Sequence, residues 1–279
     1  MEQPLVTVEQ PAEGVCLIRL QRPAKLNALS EQLIAQFMAV LETDAVGRSR
    51  VIVLAGAGRA FCAGADLGAG GATFDVATRE FHSFADGSPR DGGGEVSLRI
   101  YESTKPVIAA INGPAVGVGI TMTLPMDVRL AVEGAKIGFV FTRRGIVPEA
   151  ASSYFLPRLV GISRAMEWVA TGRVFLAEEA LAGGLVRSVH PPGELMAAAH
   201  ALAREIADNT APVSVALSRR MLWSMLGAPY PLAAHEVDSR AMAARGASAD
   251  AAEGVTAFLE KRDAVFPDRV SDGLPDIGL

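Results

Sequence analysis

Two kinds of hydrophobic pattern share the chain. In the first half, short apolar runs alternate with glycine-punctuated turns. After Ser152, helical periodicity dominates, and the shift near residues 195–210 marks the candidate boundary. Residues 5–8 and Val15–Leu20 flank Pro11-Ala12-Glu13-Gly14 and predict a two-stranded hairpin. An irregular loop, residues 21–28, follows. Ser30 is the expected N-cap of a helix whose apolar face is Leu33, Ile34, Phe37, Val40 and Leu41. Residues 50–55 (RVIVLA), Val107–Ile111, residues 127–132 and residues 135–139 read as further strands, and residues 95–103 as a short helix. Pro148 predicts a helix start with Glu149 in its first turn. Helices are expected over residues 164–171, Ala177–Ala182, 194–209, 212–226, 232–244 and 251–265.

The apolar run from Pro106 to Met126 is long enough to span a membrane, but Asn112-Gly113-Pro114 interrupts it. It reads instead as a buried strand, a glycine turn at Gly117 and Gly119, and a helix over residues 120–126. That order aims backbone N–H groups at negative charge, although small residues at such a place also serve close packing. Residues 56–67 (GAGRAFCAGADL) begin like a dinucleotide fingerprint. Phe61 stands where the third glycine belongs, and the closing acidic residue is missing. The polar stretch 68–94 is long enough for a lid or binding loop, with Phe74, Phe81 and Phe84 expected over something apolar and His82 exposed. Structural pairing is the favoured reading for Asp127 and Arg129.

Composition narrows the function. The 279 residues are 50 % hydrophobic, enough for one large core, and the net charge of −5 without basic runs argues against nucleic acid. The N-terminal MEQPLVTVEQ lacks a secretory pattern, so a cytoplasmic protein is expected. Cys16 and Cys62 make neither a disulfide framework nor a zinc site, and no metal is expected.

Six segments together resemble one family. They are RPAKLNALS (residues 22–30), LAGAGRAFCAGADL (54–67), KPVIAAINGPAVGVG (105–119), MDVRLA (126–131), GIVPE (145–149) and FLEKRDAVF (258–266). In this order and spacing they are similar to the crotonase superfamily of enoyl-CoA hydratases and isomerases. The resemblance implies an α/β fold, a crotonase (ClpP/crotonase-type) spiral of ββα units over residues 1–200, followed by a helical trimerisation region over residues 201–279. It implies acyl-CoA substrates in fatty-acid or related acyl-CoA breakdown, with coenzyme A as part of the substrate and no separate cofactor. A homotrimer or hexamer is implied, with no nucleic-acid or membrane partner. The family's adenine pocket maps onto Lys25, Leu26 and Ala28, with Ala63, Asp66 and Leu67 alongside; Phe258 and Lys261 match the aromatic and lysine that the C-terminal helix brings to the nucleotide, often of a neighbouring subunit. Its oxyanion hole maps onto the backbone N–H groups of Ala65 and Val118; the family usually has glycine at the second place, but valine still donates.

The two glutamates of family hydratases map onto Thr121 and Phe141, neither of which is a base near neutral pH. Glu149 within PEAASSY instead resembles the monofunctional Δ3,Δ2-enoyl-CoA isomerases. The expectation is therefore a 3-enoyl-CoA to 2-enoyl-CoA isomerase with Glu149 as acid and base. The alternatives are a hydratase adding water to 2-enoyl-CoA and a non-catalytic acyl-CoA-binding homologue.

Overall fold

The structure is a computed structural model that describes residues 3–75 and 83–279. Strand β1 (Val6–Ala12) turns at Glu13-Gly14 into β2 (Val15–Leu20) as an antiparallel hairpin. Pro11 and Ala12, expected in the turn, lengthen β1 beyond a register shift between Glu9 and Ala12. Helix α1 (Glu31–Leu41) starts where expected, because the Ser30 side chain accepts the Leu33 N–H at 3.3 Å. The short α2 (Asp44–Arg48), absent from the sequence reading, leads into β3 (Val51–Gly56).

Helix α3 (Gly92–Tyr101) begins three residues before the expected start at Glu95. Three glycines open it, and the Asp91 side chain overcomes their low propensity by capping Gly94 N–H at 2.5 Å. Phe74 and Phe84, expected to cover an apolar surface, are exposed, while Phe81 and His82 lie outside the described residues. Strand β4 (Val107–Ile111) and the two-residue β5 (Ala115–Val116) precede α4 (Val118–Thr121). The helix expected over residues 120–126 is thus one turn that starts earlier. Residues 122–125 leave it as tight turns whose carbonyls find another donor: Arg129 Nη1 bonds Thr123 O at 2.9 Å and Met126 O at 2.6 Å, and its Nε bonds Leu185 O at 2.8 Å.

After β6 (Val128–Val132) and β7 (Lys136–Gly138) come α5 (Ser152–Val160), α6 (Ile162–Thr171), β8 (Val174–Leu176), α7 (Ala177–Ala182) and β9 (Ser188–His190). At three residues each, β8 and β9 are too short to show alternation, and both fall where only helices were expected. The chain closes with α8 (Leu195–Asn209), α9 (Pro212–Met225), α10 (Pro231–Gly246) and α11 (Ala249–Glu260).

Among the described residues the strands form a six-stranded sheet in the order β1-β2-β3-β4-β6-β9, parallel from β2 onward, and a small sheet β5-β7-β8. Both faces of the large sheet are covered, so its strands read as unbroken apolar runs. On β3, Ile52 and Leu54 enter the main core with Leu33, Phe37 and Ile100, whereas Val51, Val53 and Ala55 meet α8. Ala199, Ala203 and Ala207 recur every four residues along α8 and let it lie close to the sheet. The two sheets and the C-terminal helices make the α/β fold that the sequence leads one to expect. No helix of the described residues is long and apolar enough to cross a membrane.

Helix α9 is pinned to the main body by Arg219. The buried guanidinium donates to Ile100 O, Tyr101 O and Ser103 O at 3.0, 2.7 and 2.6 Å, and to Asp127 Oδ2 at 2.9 Å. Trp223 Nε1 holds the other Asp127 oxygen at 2.8 Å. Asp127 is thus a structural pairing residue, and Arg129 a buried carbonyl binder. Arg219→Ala strands a carboxylate and several carbonyls and is expected to cost about 3–5 kcal/mol. Arg204→Ala, which removes only the exposed pair with Asp208, is expected to cost under about 1 kcal/mol. Urea midpoints of the two variants check this; equal losses would refute the assignment.

Candidate active site

The site is built where two loops at the carboxyl ends of parallel strands meet. After β3, residues 56–67 run back between two partners. Cys62 N–H donates to Pro114 O, and Val116 N–H donates to Cys62 O, both at 3.1 Å. On the other side Leu29 N–H reaches Gly64 O, and Asp66 N–H reaches Leu29 O, both at 2.8 Å. In that parallel bridge Ala65 is the residue whose own N–H points away from Leu29. The N–H of Val118, first residue of α4, has no carbonyl one turn back to bond. Among the described residues neither N–H donates to another group. The two loops approach backbone to backbone: a Cβ on Gly119 would lie 2.0 Å from Cys62 O, so only glycine admits this packing.

Glu149 stands beside α4, the helix that Val118 opens. It is not in the first turn of a helix, as the sequence suggests, but in a turn ahead of α5. Ala150 and Ala151 take positive φ, 58° and 53°, and Ser152 bonds Glu149 O through both its N–H (3.0 Å) and its hydroxyl (2.6 Å). The half-buried carboxyl therefore turns inward. Its Oε1 accepts the Thr121 hydroxyl at 2.8 Å, one turn along α4 from Val118. Its Oε2 lies over Gly93, where a Cβ would come within 2.1 Å of it and 2.8 Å of Val118 Cγ2. Burial pushes the Glu149 carboxyl up to about 8, against the pull of the Thr121 hydroxyl and with a further push from the Asp91 charge. Thr121 and Phe141, the places of the family's two hydratase carboxylates, are both buried.

The residues expected at the adenine gather around one side chain that sequence reasoning missed. Asn27 is fully buried; its Oδ1 accepts Arg22 N–H at 2.8 Å, and its Nδ2 donates to Ala57 O and Ala60 O at 2.9 and 2.8 Å. It fixes the loop that carries Lys25, Leu26 and Ala28, with Leu26 O accepting Ala63 N–H at 3.0 Å. Asp66 bonds the Arg22 guanidinium at 2.6 Å, which holds its carboxyl below the usual range, and Leu67 next to it is exposed. Phe258 and Lys261 face solvent at the end of α11 and make no hydrogen bond or ion pair to this group. The missed signal at Asn27 is the left-handed pair Leu26 and Asn27, a conformation asparagine tolerates. Asp91, the N-cap of α3, lies inside the stretch 68–94, whose sequence reads wholly as loop.

Comparisons agree with this architecture. The family model described as enoyl-CoA hydratase/isomerase matches residues 10–269. An enoyl-CoA hydratase of Alternaria alternata is 42 % identical over 263 residues, covering 94 % of this chain and 86 % of that protein. Solved structures of enoyl-CoA hydratases from Bacillus anthracis and Mycobacterium tuberculosis H37Rv superpose with TM-scores of 0.83 and 0.80 at 32 % and 30 % identity. They cover 94 % and 95 % of this chain and are themselves covered to 98 % and 99 %. The chain belongs to the enoyl-CoA hydratase/isomerase family and is an enzyme of it. The family implies acyl-CoA substrates. The resemblance of PEAASSY to isomerases is not matched by the names of these relatives, which are hydratases.

The raised Glu149 carboxyl makes stability depend on pH. Its folded value of about 8 lies above the ordinary 4.5, so the folded state holds this proton more tightly than the unfolded state. The resulting stabilisation is complete below about 4.5 and is lost as pH rises through 8. Glu149→Gln, which mimics the protonated form, should resist urea better than the parent at pH 8.5, with the advantage gone by pH 5. An advantage independent of pH would contradict the assignment.

Proposed function

We propose that the chain adds water to a 2-enoyl-CoA thioester, with Ala65 N–H and Val118 N–H as the oxyanion hole and Glu149 as the proton carrier. The observation that carries this reading is the inward-turned Glu149 carboxyl, hydrogen-bonded to Thr121 one turn from Val118. Attack of water at C3 pushes charge onto the thioester oxygen, and two pre-aimed donors lower that barrier by about 3 kcal/mol each. Glu149 in its carboxylate form takes one proton of the water as the oxygen bonds C3. The same carboxyl then delivers that proton to C2, and one water has been added. A basicity lifted to about 8 makes Glu149 a stronger base than an ordinary glutamate, so kcat/KM should climb up to about that pH. Hydration is preferred because relatives at 30–42 % identity are named hydratases.

A second reading rests on a separate observation. Threonine and phenylalanine stand at the two positions where family hydratases carry carboxylates, and a single base suffices to move a double bond from C3 to C2. Glu149 would then take a proton from C2 of a 3-enoyl thioester and return it at C4. Lys25, Leu26, Ala28, Ala63, Asp66 and Leu67 would hold the nucleotide, with Phe258 and Lys261 serving a neighbouring subunit. Residues 201–279, beyond the 1–200 core, would build a homotrimer, or a hexamer made of two trimers. Leu222, Met242, Val255 and Leu259 are exposed on α9, α10 and α11 and would be covered if these helices packed against a neighbouring subunit.

Separate assays with 2-hexenoyl-CoA and 3-hexenoyl-CoA, following the conjugated enoyl thioester by absorbance, decide the chemistry. Loss of conjugation from the 2-enoyl substrate is expected; its appearance from the 3-enoyl substrate alone would make the protein an isomerase. Glu149→Gln should lower either turnover by roughly 10²–10⁴-fold while leaving coenzyme A binding intact. Light scattering at micromolar concentration should give a mass of three or six chains; a monomer mass would overturn the assembly.

A further inference from the structure

We propose that Asp91 is a positioning residue that shares one proton with Glu149, so that the two carboxyl groups work as a dyad of net charge −1. This rests on the reading of Glu149 as the proton carrier. Asp91 is the N-cap of α3, and its Oδ1 takes two backbone donors from different elements: Gly94 N–H at 2.5 Å and Ala150 N–H at 3.1 Å. The second donor belongs to the residue directly after Glu149. Asp91 is thereby fixed to both the helix that floors the site and the turn that presents the base. Both carboxyls border the glycine start of α3: a Cβ on Gly93 would lie 2.1 Å from Glu149 Oε2 and one on Gly94 2.6 Å from Asp91 Oδ2, while Glu149 Oε1 is occupied by Thr121.

Two carboxylates in contact cannot both stay ionised at low cost. Asp91 accepts from two N–H groups and faces solvent, whereas Glu149 is the more enclosed partner and suits the neutral form. The proton then sits on Glu149 and points at Asp91. The other groups facing Glu149 do not compete. Cys62, behind it on the strand-end loop, is pushed up to about 12 by burial and is neutral throughout this range; Thr121 does not titrate; Ser152 is engaged with the Glu149 carbonyl. Glu95, in the first turn of α3, faces Arg90 at 3.6 Å, and among the described residues no lysine or arginine forms an ion pair with Glu149. Asp91 also supplies what the sequence lacks at positions 121 and 141, a second carboxyl at the base. It links the enclosed proton to bulk water.

The test reads Glu149 itself. In protein carrying carboxyl-13C glutamate, the Glu149 resonance is identified by its loss in Glu149→Gln and titrated by NMR in the parent and in Asp91→Asn. The asparagine keeps a side-chain oxygen to cap α3, and circular dichroism verifies the fold. The midpoint in Asp91→Asn should fall by at least one pH unit, and the alkaline climb of kcat/KM should shift down with it. Asp91→Glu, which restores the charge, should recover most of the parental midpoint. A midpoint unchanged in Asp91→Asn overturns the dyad, whatever the turnover. A midpoint that falls, in a protein whose turnover survives Glu149→Gln, upholds the dyad and refutes the catalytic reading of Glu149 instead.

Discussion

Two stretches of backbone lie in contact with no side chain between them, and the site exists because of that contact. Gly119 sits on the Cys62 carbonyl, and the loop after β3 bonds Leu29 on one side and the β5 strand on the other. Any side chain at Gly119 would push α4 away from the loop and separate Val118 from Ala65. The parallel sheet serves this contact: β3 and β4 are neighbours in register, so their carboxyl-end loops start side by side. Covering the sheet on both faces, with α8 behind and the main core in front, keeps those strand ends from shifting.

Glu149 is held by a different device. Ala150 and Ala151 are both left-handed, which costs roughly 1 kcal/mol or more each for residues with a Cβ. The bonds from Ser152 to the Glu149 carbonyl, and from Ala150 N–H to Asp91, offset that cost and prevent α5 from starting earlier. A glutamate inside the helix would have been a surface residue near its positive end. Held one turn ahead of it, Glu149 meets Thr121 and loses most of its water. The strained turn thus places the carboxyl where burial raises its basicity.

Much of this was legible in the chain. Continuous apolar runs such as VIVLA and VIAAI announce strands buried on two faces, and Ser30 announces a helix start. What stayed hidden is what depends on distant partners. Helix α3 hides behind three glycines because its stability comes from the Asp91 cap and from packing, not propensity. Helix α4 looks two turns long because the apolar run continues; only Arg129, from the next strand, allows the chain to leave the helix after Thr121 and still satisfy its carbonyls. Strands β8 and β9 are too short to carry a period. The bond from Ala150 N–H to Asp91 spans 59 positions, and no local pattern encodes it.

Arg219 carries a consequence for synthesis. Its guanidinium bonds join α9 to residues 100–127, laid down about a hundred positions earlier. On the ribosome the strands from β2 to β6 emerge and pair while the carbonyls at the end of α3 and the Asp127 carboxylate still wait for their cation. The nascent domain therefore stays open at that corner until α9 leaves the exit tunnel. Closure belongs to the last third of translation, and the corner is where a bound chaperone would find exposed polar backbone beside Tyr101 and Phe155, the rings that Trp223 covers in the finished fold.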